Sequence, residues 1–233
     1  MKILSLFAFL LSAKAFGQCK DSDKVFSPVK EMISDSSVFF AVNDKYGDSH
    51  RITSISDYAN GAISAAGNYI KQRSGAAFEK KCKLKYIYVN YPEGMNENSP
   101  ATELYNLSKY KASYTISYTV QYGIYNYDFE ILLDHAYKVL SGDMIPSIAD
   151  NPKFDKFIDV CKALTLVKSQ KQYKGVISGV GISYDPEIDS FCWHIQEEPE
   201  SIPDKGEYSV RDYYVNANTG KLTNVDEEVY IIP

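Results

Sequence analysis

Histidine, cysteine, serine and paired carboxylates build most catalytic and metal sites, and this chain has only three His and four Cys in 233 residues. A serine nucleophile on a strand-to-helix elbow needs G-x-S-x-G, and a phosphate-cradling loop needs Gly-Lys-Ser/Thr; neither string occurs. Gly175, Gly179 and Gly181 sit in an alternating apolar stretch (GVISGVGIS), which reads as a strand whose glycines lie beside a packed helix. Cys192 and His194 would point to one side of a strand and could be joined by Cys161. No CxxC or HxxxH spacing accompanies them, so neither metal nor other cofactor is expected. The carboxylate groups Asp185 with Glu187, and Asp128 with Glu130 and Asp134, read as solvated faces of strands and their turns. No catalytic residue is expected.

Binding has more raw material. There are twenty Tyr, and Tyr105, Tyr110, Tyr114, Tyr118, Tyr122, Tyr125, Tyr127 and Tyr137 fall within 33 residues. Tyrosine supplies rigid apolar area with a polar tip, which suits recognition surfaces. Tyr114, Tyr118, Tyr122, Tyr125 and Tyr127 are the candidate binding residues, forming an aromatic platform if their sheet face is left uncovered. The other reading places these rings in a sheet-helix core with their hydroxyls reaching solvent. The acidic loop carrying Glu197, Glu198, Glu200, Asp204 and Glu207 is a second candidate, suited to a basic partner or to solubility.

The charge balance, 25 Lys+Arg against 30 Asp+Glu, gives a net −5 and disfavours nucleic-acid partners. Met1 and Lys2 followed by eleven mostly apolar residues, Ile3 to Ala13, resemble a secretory leader and are too few to span a bilayer. Cleavage after Ala15 or after Gly17 is permitted by the small residues there; the second leaves residues 1–17 as signal peptide and Gln18 as the new N-terminus. Loss of Lys2 and Lys14 takes the balance to −7. Cys19, Cys82, Cys161 and Cys192 all survive cleavage, and an even number in an oxidising compartment suggests two disulfides. Pairing Cys19 with Cys82 and Cys161 with Cys192 keeps each bridge within one half of the chain. That use of the thiols argues against a cysteine protease drawing on His135 or His194.

The elements that would position these residues follow from periodicity. Ser113 to Tyr122 alternates strictly, and after Gly123 the parity flips, so that Tyr125, Tyr127, Phe129, Ile131 and Leu133 share a face across a bulge or tight turn. Leu84 to Tyr91 precedes them, making an antiparallel meander. One helix is predicted from Ser54 or Ser56 to about Arg73. Another starts at Asp150 or Asn151, with Pro152 in its first turn, and buries Phe154, Phe157, Ile158, Cys161 and Leu164. A short helix is expected at Pro28 to Ile33, leading into a strand at Val38 to Val42. Further strands are expected at Val176 to Tyr184, Phe191 to Gln196, Tyr208 to Asn216 and Lys221 to Tyr230. With Val176 to Tyr184, Phe191 to Gln196 and Tyr213 to Thr223 taken as the second set, helix followed by three strands occurs twice. The expected fold class is α+β, two tandem units over 18–145 and 146–233, each with a helix packed on an antiparallel sheet of three or four strands; one larger α+β fold is the alternative.

The segment YYVNANTGKLTNV (Tyr213 to Val225) resembles the closing strand pair of PepSY-like, cystatin-like domains, with Thr219-Gly220 as the turn, and SFCWHIQEE resembles their middle strand. The resemblance covers about residues 150–228 and, more weakly, 54–141. It implies a module that binds or inhibits other proteins, often peptidases, without chemistry of its own. The expectation is thus a periplasmic or secreted protein-binding module, an inhibitor or an immunity protein, whose partner is an exported peptidase, hydrolase or toxin. Neither nucleic acid nor stable membrane insertion is part of it. The alternative is an exported hydrolase or carbohydrate-binding protein with a Tyr- and carboxylate-lined groove gathering Asp128, Glu130 or His135.

Overall fold

The computed structural model describes residues 19–26, 39–43, 49–51, 57–93, 111–141 and 144–232. The expected leader, the helix expected at Pro28 to Ile33, and the predicted capping residues Ser54 and Ser56 lie outside them, as do Tyr105 and Tyr110.

One sheet has six strands: β1 (Phe39–Asn43), β2 (Ser49–Arg51), β3 (Lys83–Glu93), β4 (Lys111–Tyr122), β5 (Tyr125–Leu133) and β6 (Val139–Ser141), in the order β2-β1-β3-β4-β5-β6. Only β1 and β3 run parallel. The second sheet is a four-stranded antiparallel meander of β7 (Val176–Asp185), β8 (Ser190–Glu198), β9 (Gly206–Asn216) and β10 (Leu222–Ile232), with β7 and β10 at its edges. Helices α1 (Asp57–Ser74) and α2 (Ala76–Glu79) precede β3, and α3 (Val160–Lys168) precedes β7. The α+β expectation of two tandem helix-on-sheet units is therefore corrected: among the described residues, two largely antiparallel sheets dominate and only three helices occur. No described helix is long and apolar enough to cross a membrane.

The clearest departure is at 150–159, where a helix was expected and turns form. Asp159, not Asp150, caps α3, its carboxylate accepting from the Cys161 amide at 2.7 Å. Upstream, the backbone finds partners outside any helix. Asn218 donates to the carbonyls of Lys153 and Lys156, the Ile158 amide donates to Ala217, and Trp193 Nε1 donates to the Ile158 carbonyl. Phe154 then packs on Phe78 of α2 and Phe191 of β8, and Phe157 on Tyr122 of β4 and Phe191. These tertiary hydrogen bonds satisfy backbone groups that a helical ladder would otherwise pair.

Gly123 adopts φ +65° in a two-residue hairpin pairing Tyr122 with Tyr125. The parity flip disappears in space: Tyr114 faces Leu133, Ile116 faces Ile131, Tyr118 faces Phe129 and Val120 faces Tyr127, all on one buried face. Ala62, Ala66 and Ile70 of α1 are fully buried. A single hydrophobic cluster runs through both sheets. Phe191 on β8 is its hub, with ring centroids 4.9 Å from Tyr127, 5.7 Å from Phe157, 6.0 Å from Phe154 and 6.1 Å from Phe78.

Candidate binding surface

The five tyrosines expected to form a platform are interior residues. Tyr114 is fully buried, Tyr118, Tyr125 and Tyr127 are buried, and Tyr122 is half-buried, its ring stacked 4.1 Å from Phe157. The second sheet, α1 and the 150–159 turns cover their face, so the exposed aromatic platform on β4 and β5 is replaced by core. Their hydroxyls meet backbone where they can: Tyr127 donates to the Met144 carbonyl at 2.5 Å, and Tyr125 to that of Ser22. Burial pushes the Tyr118, Tyr122 and Tyr127 hydroxyls well above the usual tyrosine range, and that of Tyr125 to about 12.

The cysteine pairing also differs from expectation. Cys19 is bonded to Cys161, with their Cα atoms 5.6 Å apart, while Cys82 and Cys192 are thiols. Cys82 donates to the Phe78 carbonyl at 3.4 Å, and Cys192 on β8 lies 3.8 Å from the Thr223 hydroxyl. Halving the chain was a poor guide because residues 19–26 cross to the C-terminal half. The Phe26 amide donates to Val180 and the Val180 amide to Lys24, adding a parallel bridge to the β7 edge. Phe26 then lies over Gly179 and Gly181, where an added Cβ would stand 2.2 Å and 2.8 Å from its ring. These glycines make room for that ring, not for a helix. Phe26 stacks on His194 at 4.6 Å, and His194 on Tyr214 at 4.8 Å, while His194 Nε2 shares a 2.7 Å hydrogen bond with Asp212. The bridge and the absence of a membrane-crossing helix among the described residues are compatible with export.

The carboxylates of the alternative reading are not gathered into a pocket. Asp128 and Glu130 lie on the outer face of β5, where Asp128 pairs with Lys85 at 2.6 Å and Glu130 accepts from Tyr86. His135 is exposed in the turn after β5. Among the described residues no group of three His, Cys, Asp or Glu is placed to hold a metal.

Among the described residues, two grooves bear on binding. One, of about 410 Å³, lies beside α1 and β3 and is lined by Ile63, Leu84, Cys82 and Tyr118. The larger, about 690 Å³, lies between the Pro199–Pro203 loop and the far ends of β9 and β10, and Lys174, Glu197, Arg211 and Val229 line it. Glu197, expected from the sequence in an acidic loop suited to a basic partner or to solubility, is buried. It accepts from the amides of Lys174 and Gly175 at 2.6 Å and from Tyr213 at 2.7 Å. Arg211 donates to the Gln172 carbonyl at 3.2 Å and to Glu227 at 2.7 Å, and stands 3.7 Å from Glu197. These charges hold one another and fix the groove's shape.

Beside this groove runs β10, paired with β9 along its length and, among the described residues, with nothing on its other side. Its last residues are exposed and apolar: Val229 57%, Tyr230 42% and Ile231 72%, with Ile202 of the neighbouring loop at 53%. Alternation sorts its side chains. Asp226, Glu228 and Tyr230 share one face, Tyr230 stacking on Tyr208 at 5.2 Å; Glu227, Val229 and Ile231 share the other. The sequence reading found the strand but not its exposure. The signal was present in VYII at 229–232, where apolar residues stop alternating with polar ones and no single face can bury them all.

Comparison with known proteins came back empty. No family model, curated protein or solved structure matches the chain.

Proposed function

We propose that this chain is an exported, non-catalytic protein-binding module whose contact surface is the free β10 edge with its adjoining groove. One observation carries the reading: an eleven-residue strand, paired on one side only among the described residues, exposes Val229, Tyr230 and Ile231 in succession. Long edges with apolar side chains invite pairing with other chains, and proteins normally blunt them unless they are used. A groove with mutually satisfied charges next to that edge gives shape without presenting a reactive group. Inhibition of an exported peptidase or hydrolase, or immunity to an exported toxin, are the roles such a surface would serve.

The test uses the purified chain, immobilised beside a Val229→Lys, Ile231→Lys variant that leaves the core residues untouched. Both are exposed to periplasmic extract or culture fluid of the source cells. Recovery of a specific protein on the parent and its loss, by roughly tenfold or more, on the variant is expected. Recovery of no protein, or equal recovery on both, counts against the reading.

A further inference from the structure

The chemistry of the partner's segment can be read from β10, resting on the binding role just proposed. Asp226 and Glu228 lie on one face of the strand, and directly across on β9 Asp226 meets Asp212. Asp226 accepts from Asn224 and Glu228 from Tyr230, and among the described residues neither has a cationic partner. On the opposite face Glu227 is already answered by Arg211, leaving Val229 and Ile231 as the exposed groups there. The two faces of the free edge therefore ask for different things: one is acidic and aromatic, the other apolar.

A second copy of this chain, whose β10 holds no Lys, Arg or His, brings no cation to that edge. Antiparallel pairing of β10 with itself about its midpoint sets Asp226 against Glu228 and Glu227 against Glu227, and parallel in-register pairing sets each carboxylate beside its own copy. Like charges across neighbouring strands are destabilising. We propose that β10 is a docking edge for a basic, strand-forming segment of another protein, added to its free side by main-chain hydrogen bonds. Its Lys or Arg side chains lie beside Asp226 and Glu228, with Tyr208 and Tyr230 within reach of the same cations, and its apolar side chains lie beside Val229 and Ile231. A segment alternating basic and apolar residues satisfies both faces at once, because strand side chains alternate with the same period.

Three synthetic peptides of nine residues distinguish the possibilities: one alternating Lys and Val, one alternating Glu and Val, and the Lys-Val peptide with a central proline that removes a strand donor. Each is titrated into the whole chain labelled with ¹⁵N, following backbone amide shifts and affinity. The Lys-Val peptide is expected to bind with the largest shifts over 224–231, and to bind roughly tenfold more weakly when salt rises from about 50 to 300 mM. An Asp226→Asn, Glu228→Gln variant, changed only at exposed side chains, should weaken it roughly three- to tenfold. The proline peptide should bind less well by a similar factor. Equal binding of the Glu-Val peptide, shifts centred elsewhere, or a dimer whose β10 amides are already protected overturns the proposal. If a partner is captured through Val229 and Ile231 while the Lys-Val peptide fails to bind, the basic segment is wrong and the binding role stands. If the peptide binds and capture does not depend on the edge, the reverse holds.

Discussion

At Cys19 and Cys161 one covalent bond spans 142 residues of sequence and ties the start of the described chain to α3. Constraining so long a loop in the unfolded chain contributes about 3–5 kcal/mol. A Cys161→Ser variant should lose that amount in urea unfolding. Non-reducing peptide mapping should find Cys19 joined to Cys161 alone. Burial raises the Cys82 thiol to about 12 and the Cys192 thiol to about 11, so both should resist alkylation in the native protein and react once it is unfolded. Asp21, buried with φ +77°, accepts from Lys168 at 2.6 Å and lies 3.2 Å from Lys24. Burial opposes its charged form, but the two lysines prevail and lower its pKa. A lowered folded-state value means that the contribution is present above the unfolded value of about 3.9 and is lost as pH falls through the folded one. Asp21→Asn keeps the shape and should cost about 1–2 kcal/mol at neutral pH, with the gap to the parent closing in strong acid.

The elements show how locally ordinary sequence is redirected. Residues 153–158 have helical spacing of apolar residues, yet their backbone groups are taken by Asn218, Ala217 and Trp193, and the helix begins only at Asp159. Likewise β7 owes its glycines to Phe26, a residue more than 150 positions upstream, as the numbering shows. A methyl at Gly179 must displace that ring, so Gly179→Ala should cost about 1 kcal/mol in the parent. The same change in a Phe26→Ala background should cost almost nothing, and a double-mutant cycle in thermal or urea unfolding measures the difference. If Gly179→Ala costs the same in both, the ring is not what the glycine accommodates.

For the whole molecule, the decisive feature is a core shared between the sheets. Tyr125 meets Trp193 edge-on at 4.9 Å, Phe78 meets Phe191 at 6.1 Å, and Arg73 of α1 donates to Asp189 beside β8 at 3.1 Å. Truncating the hub by Phe191→Ala removes contacts on both sides and should cost about 3–5 kcal/mol. Because each sheet's apolar face is completed by the other, unfolding should be one cooperative transition, with coincident loss of far-ultraviolet and tyrosine near-ultraviolet circular dichroism signals. Two separated transitions would show that the halves are independent.

Much was legible in the sequence where the physical cause is local. Alternation located β4, β5 and β7 through β10, Gly123 marked the hairpin through its need for positive φ, and the Ala-rich stretch marked the buried face of α1. These depend on side-chain period and backbone sterics within a few residues. What only the tertiary structure decided is which faces are covered and which cysteines meet. The rings of Tyr114, Tyr118, Tyr122, Tyr125 and Tyr127 carry the same composition whether a second sheet lies over them or not, and that sheet made them core. Cys19 met Cys161 because residues 24–26 joined the β7 edge. The exposed surface fell instead to Val229, Tyr230 and Ile231, since β10 is the last strand of its meander and, among the described residues, has a neighbour on one side only. Coverage and edge position follow from contacts between segments far apart in the chain, which no local period encodes.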